Sequence, residues 1–202
     1  AERRAMNRRH FLRDLLTGAS AAALAPALLR DALAGDPAEF AAGLRRHPWM
    51  AGWRQVEAEA LGPTTVRIEG RLPKGFGGTL YRNGPAWFER DGFRYEHWFD
   101  GDGMVHGWRF GDGCVTHRGR MVQTPKFQRE RKAGRFNTIA AGTTIPDTVP
   151  VRNNDDANAA NTSVVAINGR LFALCEAGSA FELDPDRIDT LGPVTWRPDL
   201  QA

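Results

Sequence analysis

The dipeptide Asn168-Gly169 restricts the fold of this chain more than any other feature, because it lies between two short apolar runs, residues 164–167 and 171–174. A two-residue β-hairpin loop of type I′ needs positive φ at both central residues, and asparagine and glycine tolerate that conformation best. Each run has the length of a short strand. The sequence therefore predicts a tight antiparallel hairpin at this position.

A second region shows the alternation of half-buried strands. Apolar or aromatic side chains recur at every second position in residues 93–99 and again in residues 104–110, on either side of the Gly-Asp-Gly turn at 101–103. This pattern predicts a hairpin around that turn, and a second Gly-Asp-Gly at 111–113 continues it as a meander. The sequence therefore predicts an all-β domain. Periodicity alone leaves a sandwich, a barrel or a propeller open.

The N-terminus differs in composition from the rest of the chain. Arg8 and Arg9 precede an apolar run, residues 15–29, and small residues follow at 32–34. This arrangement is typical of a twin-arginine export leader with a cleavage site for signal peptidase. Residues 1–34 are therefore expected to be a signal peptide recognised by the twin-arginine (Tat) export machinery, and the mature protein is expected to be periplasmic.

The charge of the chain gives no support to a nucleic-acid partner. The chain has 27 Lys and Arg against 24 Asp and Glu residues, and its pI is about 9.2. Residues 1–34 hold six of the basic and three of the acidic residues, so the remainder is balanced. The basic pI thus comes from the leader, and no nucleic acid is expected to bind. Cys114 and Cys175 are far apart and outside any CxxC pattern, which indicates neither a disulfide framework nor a zinc site, although an exported protein could still pair them.

Three other segments carry local predictions. Residues 35–60 have helical spacing broken at Pro48, which predicts a short helix within an N-terminal arm. Residues 126–132 are rich in charge and predict a helical turn whose charges lie in solvent. The RNGP segment, residues 82–85, predicts a turn in which Asn83 and Gly84 adopt unusual backbone angles.

Four segments, in order and at matching spacing, resemble the carotenoid cleavage oxygenase family. They are residues 72–85 (LPKGFGGTLYRNGP), 97–106 (HWFDGDGMVH), 161–165 (NTSVV) and 169–178 (GRLFALCEAG). The resemblance implies the first blades of a seven-bladed β-propeller. On this interpretation residues 61–202 are an incomplete, N-terminal part of the propeller, preceded by the export leader (1–34) and a short helical arm (35–60).

The resemblance also implies a reaction. Enzymes of this family use Fe(II) and O₂ to cleave a carbon–carbon double bond of a carotenoid, apocarotenoid or stilbene-type substrate into two carbonyl products. Four histidines on four blades hold the iron, and the first of them is expected just beyond Ala202. The five histidines of this chain all fall outside the ligand positions: His10, His47, His97, His106 and His117. The chain alone is therefore expected to bind no iron and to be inactive. The alternative is a non-enzymatic, truncated remnant of such a gene.

Glu176 is the residue that the resemblance assigns to the metal centre. In the family, the glutamate of the A-L-x-E-x-G segment accepts the free ring N–H of an iron-bound histidine, and such an acceptor fixes the tautomer and the ring angle of the ligand. The residues alone favour an exposed glutamate at the end of a strand, and only the resemblance favours the role at the metal centre. Its neighbour Cys175 either packs in the domain or faces the substrate cavity.

The remaining candidate residues are interpreted as structural. His97 and His106 are predicted on adjoining strands without the carboxylate that a two-histidine metal site needs. Asp100 and Asp102 are predicted to accept hydrogen bonds from the backbone amides of their own turn. Five aromatic side chains are predicted to be mainly core, with an apolar tunnel or a patch for peripheral membrane contact left open for some of them: Trp87, Phe88, Phe93, Trp98 and Trp108.

Export provides a test of the leader. Changing Arg8→Lys together with Arg9→Lys is expected to block export, because twin-arginine recognition depends on the paired guanidinium groups. Arg3→Lys with Arg4→Lys is the matched control and should be exported normally. Cell fractionation measures both, and normal periplasmic accumulation of the Arg8 and Arg9 variant would contradict the assignment.

Overall fold

The computed structural model describes residues 35–196, so the predicted leader and residues 197–202 lie outside the described residues. Helix α1 spans Pro37–Arg46. It begins at Asp36, whose carboxylate accepts the amide of Ala38 at 2.7 Å, and proline at the first helical position fits there because its missing N–H would have no partner. A 3-10 helix, Pro48–Trp53, follows directly.

The strands form two four-stranded antiparallel sheets and one short hairpin. The first sheet and the hairpin contain β1 (Ala60–Thr65), β2 (Gly78–Trp87), β3 (Glu89–Arg90), β4 (Phe93–Arg94), β5 (Asp102–Gly111) and β6 (Cys114–Met121). The order in the first sheet is β1-β6-β5-β2, and β3 pairs with β4. The second sheet is a meander of β7 (Ser163–Ile167), β8 (Arg170–Leu174), β9 (Phe181–Leu183) and β10 (Thr190–Pro193).

Two of the predicted hairpins are confirmed. Asn168 and Gly169 join β7 to β8 with φ of 50° and 75°, and Asp112 and Gly113 join β5 to β6 with φ of 51° and 73°. Positive φ at both positions is the signature of a type I′ turn. Local sequence is sufficient here because the turn itself requires these residue types.

The predicted hairpin around residues 101–103 is wrong. Only Phe93 and Arg94 of the first run form a strand, and that strand pairs with β3. Strand β5 pairs instead with β2 and β6. Gly103 serves a close approach rather than a turn, since a Cβ there would clash with the carbonyl oxygen of Ala160.

The predicted turn at residues 82–85 is also wrong. These residues lie inside β2, where Asn83 pairs with Val105 and Gly84 with Met104. Pro85 is tolerated because β2 is an edge strand of its sheet. On the side of an edge strand that faces no other strand, a proline without an N–H costs no hydrogen bond of the sheet.

The core lies between the two sheets. Buried side chains of β5, β8 and β9 meet in one cluster, which includes Val105, Leu171, Ala173, Phe181 and Leu183. Val105 points into this cluster, whereas Met104 belongs to a second cluster with Met121 and Phe127. Alternate residues of β5 therefore pack on opposite faces, as the period of a strand requires.

Helix α2, Pro125–Ala133, carries buried charges. Lys126 and Glu130 are both buried, so the prediction that the charges of this helix lie in solvent is wrong for these two residues, whereas Arg131 and Lys132 are exposed as predicted. Lys126 Nζ donates to Asp102 Oδ1 at 2.7 Å, to Glu130 Oε2 at 3.1 Å and to the Tyr95 hydroxyl at 3.1 Å. Glu130 Oε1 accepts the amides of Asn137 at 3.2 Å and Thr138 at 3.0 Å.

This buried ion cluster keeps its lysine charged. Burial by itself lowers the pKa of Lys126, but Asp102, Tyr95 and Glu130 outweigh it and raise that pKa well above the ordinary value. The cluster joins α2 to the start of β5 and to the loop that follows the helix. Within residues 35–196, no helix has the length and apolar character needed to cross a membrane.

Removing the cation of this cluster is expected to be costly. Lys126→Met leaves the carboxylates of Asp102 and Glu130 buried beside each other, which should lower the free energy of unfolding by about 3–5 kcal/mol. Lys132→Met, at an exposed position of the same helix, is the control and should change it by less than about 0.5 kcal/mol. Denaturant unfolding compares the two. Equal effects would show that the cluster contributes nothing beyond an exposed lysine.

Candidate functional site

A cavity of about 700 Å³ opens where the segment before β7, the turn after β8 and residues 98–100 meet. Its volume is within the range of pockets that hold small organic ligands. The lining is mainly apolar, and three large side chains at its rim are strongly exposed: Trp98 at 47%, Phe99 at 56% and Ile139 at 62%. The polar groups are few, and they include Glu176, Thr162 and Asn161.

Glu176 lies in the turn just after β8 and is exposed on the cavity wall. The Thr162 hydroxyl donates to Glu176 Oε2 at 2.7 Å. This hydrogen bond, with a smaller contribution from a backbone amide, lowers the pKa of Glu176. The carboxylate is therefore ionised and oriented, and it can accept an N–H donor presented from the cavity.

Asp100 also lines the cavity. Its buried carboxylate accepts the amides of Ala141 at 2.7 Å and Gly142 at 3.1 Å, and the hydroxyl of Thr143 at 2.6 Å. The prediction that Asp100 and Asp102 bond their own turn is wrong, because Asp100 binds a loop some forty residues later and Asp102 pairs with Lys126. Asp100 thus holds the loop that contributes Ile139 to Ala141 to the cavity lining.

The histidines do not form a shared site. His97 accepts the amide of Phe99 on its Nδ1 at 3.2 Å, so it begins the 3-10 helix Trp98–Asp100. His106 Nδ1 lies 2.9 Å from His117 Nε2, and the two rings are nearly parallel. Their centroids are 5.2 Å apart, as expected for an in-line hydrogen bond in which one ring donates and the other accepts. Among residues 35–196, no group of three or more His, Cys, Asp or Glu side chains could hold a metal ion.

The two cysteines are free thiols at different places. Cys114 is exposed beside the turn between β5 and β6, whereas Cys175 lines the cavity next to Glu176. The aromatic residues divide as well. Phe88 is buried in the core, but Trp98 is at the rim of the cavity.

The sequence analysis singled out Glu176, whose role at a metal centre stays a prediction, and it missed the hydrogen-bond partner Thr162. Thr162 lies in the NTSVV segment, next to Asn161. It comes close to Glu176 because β7 pairs with β8, so that Ser163 lies opposite Leu174. The confirmed hairpin at Asn168-Gly169 would have been enough to bring Thr162 close to Glu176. The hydrogen bonds of Asp100 could not be predicted from the neighbouring residues, because its partners lie in a loop about forty residues later.

The chain belongs to the carotenoid cleavage oxygenase family, whose family profile is that of the retinal pigment epithelial membrane protein (RPE65) and matches residues 53–202. It is 34% identical over 151 residues to the apocarotenoid-15,15'-oxygenase of Synechocystis, which covers 71% of this chain and 30% of that protein. It is 35% identical over 142 residues to resveratrol cleavage oxygenase 1 of Aspergillus fumigatus, which covers 68% of this chain and 27% of that protein.

Solved structures agree with this placement. A chimera of apocarotenoid oxygenase (ACO) and RPE65 has a TM-score of 0.67 at 33% identity, over 76% of this chain and 32% of that chain. Cobalt-substituted Synechocystis ACO has a TM-score of 0.60 at 34% identity, over 72% of this chain and 31% of that chain. The chain therefore spans about a third of the length of these relatives.

The histidine pair predicts a pH dependence of stability. Burial, and then the charge of His117, lower the pKa of His106, and burial lowers that of His117. The unfolded chain therefore binds protons more readily than the folded chain once the pH falls below about 7. The free energy of unfolding should decrease between about pH 7.5 and pH 5.5.

The measurement is urea unfolding at several pH values. Changing His106→Gln together with His117→Gln should flatten the pH profile, whereas His47→Gln, at an exposed position, should leave its slope unchanged. An unaltered slope in the double variant would show that other groups set the pH dependence.

Proposed function

We propose that the chain is the N-terminal portion of an Fe(II)-dependent dioxygenase that cleaves a carbon–carbon double bond of a carotenoid, apocarotenoid or stilbene-type substrate, with O₂, into two carbonyl products. The observation that carries this proposal is Glu176, an ionised carboxylate that Thr162 holds on the wall of a largely apolar cavity. Relatives named for apocarotenoid, resveratrol and lignostilbene cleavage support the reaction class.

The described residues do not themselves make an iron site. Residues 35–196 offer no set of three metal-binding side chains, and Glu176 is suited to accept an N–H group rather than to hold a metal alone. In this proposal four histidines from the remaining blades hold the iron, and the iron supplies the activation of O₂. Glu176 accepts the ring N–H of one of these histidines, which fixes the orientation of that ring. A metal-substituted ACO structure among the relatives supports a metal cofactor.

The cavity suits an apolar, elongated substrate. Its rim presents Trp98, Phe99 and Ile139, whose exposed apolar surface is unusual unless it contacts a ligand or a partner. We propose that these side chains admit the substrate and, as a peripheral contact, touch the membrane in which such molecules dissolve. The two sheets correspond in this proposal to the first two of seven propeller blades, and the leader directs the protein to the periplasm.

Replacing Glu176 in the complete enzyme tests the proposal. Glu176→Gln keeps the volume of the side chain but removes the charged acceptor, so iron affinity or turnover should fall by about 10-fold to 100-fold. The melting temperature should change little, because the residue is exposed. Glu182→Gln, at a glutamate of β9 that pairs with Arg170, is the control and should leave turnover unchanged.

The measurement is product formation from a stilbene and from an apocarotenoid, with iron content determined on the same samples. Full turnover of Glu176→Gln at full iron loading would contradict the role of this residue. A complete protein that loads iron but yields no carbonyl products from either substrate class would contradict the proposed reaction. A stop codon directly after the codon of Ala202 would favour the non-enzymatic, truncated alternative.

A further inference from the structure

Two asparagine side chains hold the segment that precedes β7, and each uses its amide nitrogen on two backbone carbonyls. Asn83 Nδ2 donates to the carbonyl of Ala160 at 2.8 Å and to that of Ser163 at 2.9 Å. Asn161 Nδ2 donates to the carbonyls of Phe99 and Gly101, both at 2.7 Å. Four carbonyls, two in residues 160–163 and two in residues 99–101, are thus held by two side chains.

The position of Asn83 makes it a link between the two sheets. Strand β2 is an edge of the first sheet and β7 is an edge of the second, and each pairs on its other side with a strand of its own sheet. The orientation of the Asn83 amide is fixed by its surroundings, because the reverse orientation would place Oδ1 against two carbonyl oxygens. An amide has two N–H donors on one nitrogen, which suits two nearby carbonyls.

The segment that these asparagines hold has an unusual backbone. Ala160 is buried and has a φ of 45°, a conformation that residues other than glycine rarely adopt. Its amide donates to Asn158 Oδ1 at 2.9 Å, and its carbonyl lies against Gly103. Such a conformation persists only where the surrounding contacts determine it.

Thr162 lies within this segment. The carbonyls of Ala160 and Ser163, which Asn83 binds, are on either side of the dipeptide Asn161-Thr162. The backbone amide of Thr162 donates to the carbonyl of Leu174 at 3.1 Å, which aligns it with the end of β8. With its backbone fixed in this way, Thr162 donates its hydroxyl to Glu176 at 2.7 Å.

We propose that Asn83 and Asn161 are positioning residues of the candidate site: they fix the segment around Thr162 so that its hydroxyl stays on the Glu176 carboxylate. Asn161 also ties this segment to residues 99–101, so the rim of the cavity and the carboxylate keep one spacing. Asn83, the asparagine of the RNGP segment, thereby has a role in the site. The importance of this role for catalysis rests on the function proposed above, whereas the hydrogen-bond geometry does not depend on that function.

The titration of Glu176 measures this positioning directly in the 202-residue chain without metal. NMR of the labelled glutamate carboxyl carbons follows it, and Thr162→Val serves as the reference that removes the hydroxyl donor. Because that hydrogen bond lowers the pKa of Glu176, its loss should raise the pKa. Asn83→Ala and Asn161→Ala should each produce at least half of the rise that Thr162→Val produces.

Tyr81→Phe is the matched control for Asn83→Ala. Tyr81 is also on β2, and its hydroxyl donates at 2.6 Å to the carbonyl of Pro185, in the turn between β9 and β10 of the second sheet. This variant loses a contact of the same kind between the same sheets, away from Thr162. It should lower stability and leave the Glu176 titration unchanged.

The proposal is overturned if the asparagine variants unfold more readily but titrate at Glu176 like the unaltered chain, since Asn83 and Asn161 would then be merely structural. It is also overturned if Thr162→Val leaves that titration unchanged. If the asparagine variants do not fold, hydrogen exchange of the Asn83 side-chain amide in the unaltered chain decides. If the Asn83 side-chain amide exchanges at least about tenfold more slowly than that of the exposed Asn154, the result supports the positioning role of Asn83; equal rates overturn it.

These outcomes separate this proposal from the proposed function. The Glu176 titration needs neither iron nor substrate, so Asn83 and Asn161 can be positioning residues even if the complete protein binds no iron. Conversely, Glu176→Gln can abolish turnover while Asn83→Ala leaves the Glu176 titration unchanged. Only the positioning role of the asparagines would then be refuted.

Discussion

The close approach of the segment 159–163 to the first sheet is the constraint on which the site depends. Two sheet edges meet there, and their backbone groups need partners that a regular ladder does not provide. Gly103 makes room for the carbonyl of Ala160 and donates its own amide to Ala159 at 2.8 Å. Asn83 then supplies donors to the carbonyls that remain. The cavity wall that carries Thr162 and Glu176 is a consequence of this junction.

A second constraint is the buried ion cluster on α2. A charge buried without a partner is strongly unfavourable, so Lys126 is tolerated only because Asp102 and Glu130 contact it. Asp102 is the first residue of β5, and Lys126 also lines the cavity. The cluster therefore connects the first sheet, the helix and the floor of the cavity. Mutations there are expected to affect the site through stability rather than through chemistry.

The site divides into groups that contact the cavity and groups that hold them. Glu176 and the rim side chains face the space where a ligand would lie, whereas Asp100, Asn83 and Asn161 each satisfy backbone groups of neighbouring segments. Among the relatives of the chain is a cobalt-substituted apocarotenoid oxygenase, which supports the proposal that this arrangement belongs to a metal site. The chain spans about a third of the length of its relatives. In the proposed function it supplies one wall of the site and, through Glu176, the acceptor for one metal-binding histidine.

The sequence by itself determined those features that depend on residues close together in the chain. The dipeptide Asn168-Gly169 and the Gly-Asp-Gly at 111–113 predicted two hairpins that the structure confirms, and four motifs predicted the family. The tertiary structure decided the features whose partners are distant. Asp100 binds Ala141, 41 residues later, and Asn83 binds Ala160, 77 residues later. The charged residues 126–132 have the local pattern of a solvated helix, but the packing of other segments buries Lys126 and Glu130. Gly103 has the local pattern of a turn, but the carbonyl of Ala160 packs against it. Burial and close approach depend on which distant segments pack against a residue, and the pattern of neighbouring residues in the sequence does not contain that information.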